Sequence, residues 1–204
     1  MSTIAVIDCG SSKVQQLASI VEGNDCQIWN VPLAEANECD FARFDGVVIS
    51  GGPHLFTDRR GSKDLIQQFE FIDRLELPIL GICLGHQALA LRHGSKAFRG
   101  DERRGSEAIK VMTQHELFRN LPSRFPVTED HCEGITLPTN FKLLASSAHY
   151  EVEAMASTIY PHFGVQFHLE VSGYVGESVI RNFCTIARLA SRSGDMGYVR
   201  RSPC

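Results

Sequence analysis

The sequence predicts an α/β fold with three layers, in which helices cover both faces of an open, mostly parallel sheet. Strand and helix patterns alternate along the first half of the chain, which is typical of parallel sheets. The strand segments there are short, continuous apolar runs, as expected for strands that are buried on both faces. Strand patterns follow one another in the second half, which predicts a smaller antiparallel region.

Four strands and three helices are predicted in the first half. The strand patterns cover residues 3–8, 26–31, 44–50 and 78–82, and the helix patterns cover 12–21, 63–75 and 86–93. The carboxyl ends of parallel strands lie at one edge of a sheet, where the binding sites of such folds are found. Two of these ends carry residues suited to a site, namely the pair Gly51-Gly52 and Cys83.

Five more strands and one long helix are predicted in the second half. The strand patterns cover 106–112, 125–130, 141–147, 151–157 and 162–168, and the helix pattern covers 174–190. Residues 1–190 are therefore predicted to form a single domain. Residues 191–204 are polar and basic without clear periodicity, and they are predicted to be a C-terminal tail.

Charge and composition exclude several classes of partner. The 204-residue chain has a formal net charge of −4, so no basic field predicts binding to nucleic acid or to an anionic membrane. No apolar run is long enough to span a bilayer, and the N-terminus lacks the features of a signal peptide. Seven cysteines without a C-x-x-C pair favour a reducing cytoplasm over a disulfide framework or a zinc knuckle. The eight histidines show no ligand spacing, so neither a metal nor a cofactor is expected in this chain.

Cys83 lies in the segment PILGICLGHQALALRHG, between a strand pattern and a helix pattern. Gly81 and Gly85 flank it in the order G-x-nucleophile-x-G, the pattern of a nucleophile elbow with cysteine in place of serine. The positive end of the helix dipole favours a thiolate at this position. The backbone N–H of Leu84 is placed to donate to an oxyanion. The sequence therefore predicts Cys83 as a nucleophile.

A base and an acid are predicted near the end of the last strand. His168 ends the strand pattern in GVQFHLEVS, and Glu170 follows two residues later. Two residues apart on an extended segment, the side chains lie on the same side, so the carboxylate can orient the imidazole. The segment SGGP, residues 50–53, supplies a second oxyanion donor in the backbone N–H of Gly52.

Each of these patterns is weak when it stands alone. An isolated S-G-G-P is usually a turn, and an isolated H-x-E is more often a surface pair than part of a triad. H-x-E also begins the signature of zinc deaminases, but the P-C-x-x-C segment that completes that signature is absent. The three patterns together, each at a predicted strand end, indicate a hydrolytic site with a cysteine nucleophile.

Taken together, the segments resemble the class I glutamine amidotransferases. GICLGHQ resembles the nucleophile motif, ISGGP the oxyanion strand, and GVQFHLEV the His-Pro-Glu motif, with Leu169 in place of the proline. The resemblance covers roughly residues 3–190 and implies a flavodoxin-like fold and hydrolysis of glutamine through a cysteine thioester. The residues that it implies for the glutamine pocket are Gly51, Gln87, Asp130 and His131.

Within this family, residues 7–18 and 135–156 resemble the separate glutaminase subunits of two-subunit GMP synthases. That resemblance implies L-glutamine as substrate and, as partner, a separate synthetase of the ATP-pyrophosphatase type that binds ATP and magnesium. Two enzymatic alternatives stay open: an amidotransferase that serves another synthetase, and a γ-glutamyl peptidase-like hydrolase. The third alternative is a regulatory protein with the same fold and no catalytic activity. Glutaminase assays with and without candidate synthetases separate an amidotransferase subunit from a γ-glutamyl peptidase-like hydrolase.

Overall fold

The computed structural model describes residues 1–58 and 61–194 of the chain. These residues form one sheet of nine strands, four α-helices and several short 3₁₀ helices. The strands are β1 (Ser2–Asp8), β2 (Cys26–Pro32), β3 (Gly46–Ile49), β4 (Ile79–Ile82), β5 (Ala97–Val111), β6 (Arg124–Ile135), β7 (Phe141–Ser146), β8 (Ala154–Ser157) and β9 (His162–Val165). The α-helices are α1 (Val14–Glu22), α2 (Ser62–Gln67), α3 (Leu84–Arg92) and α4 (Gly173–Gly194). None of these described helices has the length and apolar character needed to cross a membrane.

The sheet has the strand order β2-β1-β3-β4-β9-β8-β7-β5-β6. The first five strands in this order are parallel, and β8, β7, β5 and β6 continue the sheet with antiparallel pairing. The parallel part has the order 2-1-3-4-5 of doubly wound flavodoxin-like folds. The predicted α/β fold is therefore confirmed. β9 is the last strand along the chain, yet it lies inside the sheet between β4 and β8.

Two apolar cores lie on opposite faces of the sheet, as the three-layer prediction requires. Alternate side chains of β1 enter different cores, because successive residues of a strand point to opposite faces. Ile4 and Val6 belong to the core that includes apolar residues of α1 and α4. Ala5 and Ile7 belong to the core that includes apolar residues of α2 and α3. All four side chains are fully buried.

The antiparallel region is longer than the sequence pattern predicts. β5 begins at Ala97 rather than at residue 106, and β6 continues to Ile135 rather than ending at residue 130. The two strands pair with each other over most of their lengths, with one irregularity between Arg99 and Arg103. Most side chains in the early part of β5 are at least partly exposed, so this segment has no alternating apolar pattern to reveal it.

Several other predicted boundaries also differ, among them the start of β8, at Ala154 rather than at residue 151. The predicted helix 63–75 consists of α2 and a separate 3₁₀ helix, Glu70–Arg74. The break allows Phe69 and Phe71 to be buried together, which the two-residue spacing does not permit on one face of a continuous α-helix. β9 ends at Val165, three residues before His168. α4 continues to residue 194, past the start of the predicted tail, whose residues 195–204 lie outside the described part of the chain.

Candidate active site

Three neighbouring parallel strands bring the predicted catalytic segments to one edge of the sheet. β3 leads to Gly51, β4 leads to Cys83, and the segment after β9 carries His168. Because β4 pairs with both β3 and β9, these strand ends lie side by side. A cavity of about 530 Å³ opens at this edge, and Cys83 and His168 line it. Residues that are far apart in the sequence therefore meet where parallel sheets place their sites.

Cys83 is the residue at which β4 turns into α3. Its backbone has φ 49° and ψ −105°, outside the regions that non-glycine residues normally occupy, so the turn is strained. A Cβ atom on Gly81 would lie 2.5 Å from the carbonyl oxygen of Gly85. A Cβ atom on Gly85 would lie 2.5 Å from the carbonyl oxygen of Ile49. The two glycines thus let the backbones approach closely enough to form the predicted elbow.

His168 and Glu170 meet as the sequence predicts, although the local conformation differs. Nδ1 of His168 lies 2.8 Å from Oε1 of Glu170, and since a carboxylate only accepts hydrogen bonds, Nδ1 carries the proton. The side chain of Cys83 is close enough to the imidazole to raise the pKa of His168, and both residues line the cavity. The prediction of an extended segment was wrong, because Leu169–Val171 form a 3₁₀ turn. The turn, not strand alternation, brings the carboxylate back to the imidazole.

Opposing influences set the protonation of His168, which is 5% exposed. Burial lowers its pKa, but hydrogen bonds to Cys83 and Glu170, together with the negative charge of both groups, outweigh burial and raise the pKa to about 10. The imidazolium is therefore the favoured form near neutral pH. This protonated ring lies between the side chain of Cys83 and the buried carboxylate of Glu170.

Two residues that the sequence did not single out fix the turn that carries His168. The backbone N–H of His168 donates to the carbonyl oxygen of Thr128 on β6, at 2.9 Å. The hydroxyl of Ser172 donates to the carbonyl oxygen of His168 at 2.6 Å and accepts from the backbone N–H of Thr128 at 2.9 Å. These bonds join the turn to a strand some forty residues earlier, a pairing that no local sequence pattern indicates.

The two backbone positions predicted to hold an oxyanion lie next to each other. A Cβ atom on Gly52 would lie 2.8 Å from the Leu84 side chain and 2.4 Å from the carbonyl oxygen of Cys9, so only glycine fits here. Both Gly52 and Leu84 line the cavity beside Cys83. Leu84 opens α3, and the first N–H groups of a helix have no partner within the helix. The geometry thus leaves a donor beside the thiol.

The predicted pocket residues occupy different positions around the cavity. Gln87, Asp130 and His131 line the cavity. Gly51 instead packs against the imidazole of His168. A Cβ atom at position 51 would lie 3.0 Å from Cε1 of that ring. Nε2 of Gln87 donates to the carbonyl oxygen of Glu133 at 3.2 Å and to Oε1 of Gln166 at 3.1 Å. Asp130 lies 3.9 Å from both Lys13 and Arg104. Residues of the wall that the sequence did not predict include Ser11, Lys13, Arg99, Glu102, Arg104 and Cys132.

Glu133 anchors a loop beside the cavity, a role that its sequence context did not reveal. Its carboxylate is 1% exposed and accepts from the backbone N–H groups of Phe56 and Thr57, at 3.0 and 2.7 Å. It also accepts from the Thr57 hydroxyl. The carboxylate therefore holds the loop after Gly52 against β6, and this closes one side of the cavity.

Glu170→Gln is expected to change how the stability of the protein depends on pH. The pKa of His168 in the folded chain, about 10, exceeds the value of about 6.5 in an unfolded chain. The resulting stabilisation is complete below about pH 6.5 and is lost as pH rises towards 10. The amide removes the negative charge, so the pKa of His168 falls and this loss becomes smaller. Urea titrations of both proteins from about pH 6 to about pH 10 measure the free energy of unfolding.

Glu177→Gln on the exposed surface of α4 is the matched control for this experiment, and it is expected to keep the wild-type pH dependence. Glutamine hydrolysis at pH 7–8 is expected to fall in Glu170→Gln and to be unchanged in the control. Equal pH dependence in all three proteins would show that Glu170 does not influence the imidazole.

Sequence comparison places the chain in a known family. The model of the family described as glutamine amidotransferase class-I matches residues 5–187. A protein of Pyrococcus abyssi, described as the glutamine-hydrolysing GMP synthase subunit of that organism, is 40% identical over 144 residues, which cover 69% of this chain and 74% of that protein. A protein of Methanococcus aeolicus with the same description is 37% identical over 163 residues, which cover 78% of this chain and 82% of that protein.

Solved structures agree with the sequence comparison. A crystal structure from Thermoplasma acidophilum, provisionally described as the corresponding GMP synthase subunit, superposes with a TM-score of 0.87 at 30% identity, covering 96% of this chain and 98% of that one. A glutamine amidotransferase of Thermotoga maritima has the same fold, with a TM-score of 0.72 at 22% identity. The superposition covers 96% of this chain and 92% of that one. The chain belongs to the class I glutamine amidotransferase family.

Proposed function

We propose that this chain hydrolyses L-glutamine at Cys83 and delivers the ammonia to a separate synthetase subunit that converts XMP to GMP. The observation that carries the chemistry is the strained elbow that sets Cys83 beside the imidazole of His168, which Glu170 holds. The similarity to proteins described as glutamine-hydrolysing GMP synthase subunits supports the acceptor.

In the first half of the reaction, the Cys83 thiolate attacks the side-chain amide carbon of glutamine. The backbone N–H groups of Leu84 and Gly52 donate to the oxygen that becomes negatively charged. The His168 imidazolium gives its proton to the amide nitrogen, and the C–N bond breaks to release ammonia. A glutamyl thioester remains on Cys83.

In the second half, neutral His168 takes a proton from water, and the resulting hydroxide attacks the thioester carbon. The C–S bond breaks, glutamate leaves and the thiolate–imidazolium pair is restored. Glu170 stays ionised throughout and keeps the imidazole oriented through its bond to Nδ1. Gln87, Asp130 and His131 are the residues that we assign to the amino-acid end of glutamine.

This chemistry requires no cofactor in the chain itself, and ATP and magnesium belong to the synthetase partner. The partner in our proposal is an ATP-pyrophosphatase that adenylates XMP before ammonia attacks it. The reaction is placed in the cytoplasm, which agrees with the six described cysteines, all of which are free of disulfide bonds.

Glutamate release by the purified chain tests this proposal, first alone and then with the synthetase partner, ATP, magnesium and XMP. We expect about tenfold or greater stimulation by the partner, as is common for coupled sites, and formation of GMP. As a control, the Cys83→Ala chain with the same partner should form GMP from added ammonium salts but not from glutamine. Hydrolysis without stimulation would refute the acceptor, and preferential cleavage of γ-glutamyl peptides would refute the amidotransferase function.

A further inference from the structure

A group of three buried residues lies next to the cavity wall, and one of them, His131, also belongs to the proposed glutamine pocket. Glu129 and His131 lie two residues apart on β6, and Glu153 comes immediately before β8. Their exposed fractions are 1%, 9% and 0%. One nitrogen or oxygen atom from each lies within 4.8 Å of the others, a spacing suited to a shared ion.

The imidazole of His131 is oriented as in many metal sites. Its Nδ1 lies 3.0 Å from the carbonyl oxygen of Glu133, and since a carbonyl only accepts, Nδ1 carries the proton. In the neutral ring, Nε2 then presents a lone pair towards Glu129, whose Oε2 lies 3.4 Å away. A backbone carbonyl that fixes the tautomer in this way is the usual outer partner of a metal-binding histidine.

The atoms that face one another in this cluster are one imidazole nitrogen and the oxygens of two carboxyl groups. Within the described residues, no well-formed hydrogen bond reaches Nε2 of His131 or any of the four carboxylate oxygens of Glu129 and Glu153. Buried polar atoms without partners are costly, so this arrangement needs a cation or additional protons among the oxygens.

The charged groups around the cluster do not supply that cation. Arg103 faces His131 across the β5–β6 pair, but its guanidinium lies 2.6 Å from the carboxylate of Glu107. Burial lowers the pKa of His86, which stands near His131, to about 3, so this second imidazole is neutral. Glu107 adds a further negative charge near Glu153. The charges of Arg103 and Glu107 offset each other, so these described neighbours leave the two carboxylates of the cluster without a cation of their own.

We propose that Glu129, His131 and Glu153 together bind one divalent transition-metal ion, with zinc as the best fit. One imidazole nitrogen with two carboxylates is a donor set that zinc accepts, and three protein ligands leave one position for water. His131 lines the main cavity, and Glu129 borders a smaller cavity beside Thr128 and His168. A bound ion would join β6 to the segment before β8 and fix His131 in the cavity wall.

Metal analysis of the intact protein tests this inference separately from glutamine hydrolysis. The protein is treated with a chelator, dialysed and titrated with zinc chloride by calorimetry, and the metal content is then measured by mass spectrometry. We expect one zinc ion per chain. Glu153→Gln should weaken zinc binding by about 100-fold or more, since even the loss of an outer-shell partner costs 10- to 100-fold. Glu151→Gln, at an exposed position two residues earlier, is the matched control and should bind as the wild type does.

X-ray absorption at the zinc edge of the wild-type protein decides the question even if Glu153→Gln does not fold. One imidazole and oxygen ligands without sulfur are expected. Sulfur ligands would assign the zinc to cysteines and overturn the proposal. Binding of less than one zinc ion per chain, or equal zinc binding by wild type and Glu153→Gln, would also overturn the proposal. Glu129 and Glu153 would then be a pair of carboxyl groups that shares protons.

Discussion

Cys83→Ala is expected to lower glutamate release from glutamine by at least about 10³-fold, because alanine lacks the thiol that we propose forms the thioester. The replacement removes one sulfur atom from a side chain that is already small, so the fold should persist. Circular dichroism and the urea midpoint of the variant check that it does. Glutamate measured enzymatically at saturating glutamine then reports only the lost chemistry.

Cys39→Ala is the matched control, since Cys39 is a partly buried thiol that does not line the cavity. It is expected to retain wild-type turnover. The neighbouring thiol of Cys9 does not replace the nucleophile, because burial raises its pKa to about 12 and keeps it protonated. Turnover retained in purified Cys83→Ala would refute the assignment of the nucleophile.

Gly81→Ala is expected to have the largest effect on stability among single substitutions at the elbow. The new methyl group would lie 2.5 Å from the carbonyl oxygen of Gly85 and 2.7 Å from the backbone nitrogen of His86. These are backbone atoms, so β4 and the start of α3 must separate to admit it. We expect a loss of about 3 kcal/mol in the free energy of unfolding, the upper end of overpacking effects, and loss of glutaminase activity. Urea unfolding and the glutaminase assay measure the two effects.

Gly61→Ala is the control for the added methyl group. No described atom lies within 4 Å of a Cβ at this position, and its φ of −134° suits any residue. A change within about 0.5 kcal/mol is expected there. If Gly81→Ala were as stable and active as this control, the close contact of β4 with α3 would not be what forms the elbow.

The parts of the molecule that could be predicted from the sequence depend on local signals. β1 to β4 are apolar runs that end at turn residues, and the elbow of Cys83 is determined by glycines two residues away on either side. The proximity of His168 and Glu170 was also predicted, because the two lie close in sequence, although the reason given for it was wrong.

The parts that could not be predicted depend on contacts between distant segments. Glu133 binds backbone groups at positions 56 and 57, more than seventy residues earlier, and Thr128 anchors the turn of His168. The cluster that includes Glu153 joins two strands that do not pair with each other. Histidine spacing along one segment cannot reveal such a group, because its third member comes from elsewhere in the fold.

The position of β9 inside the sheet also has a consequence for the growing polypeptide. A ribosome makes Cys83 long before it makes His168, and β9 must then insert between β4 and β8. Such long-range pairing is slow, and domains complete themselves only after their last segments emerge. Until then the thiol lacks its imidazole and is an ordinary cysteine. We therefore expect an unfinished chain to release no ammonia from glutamine, because the proposed nucleophile then has no base beside it.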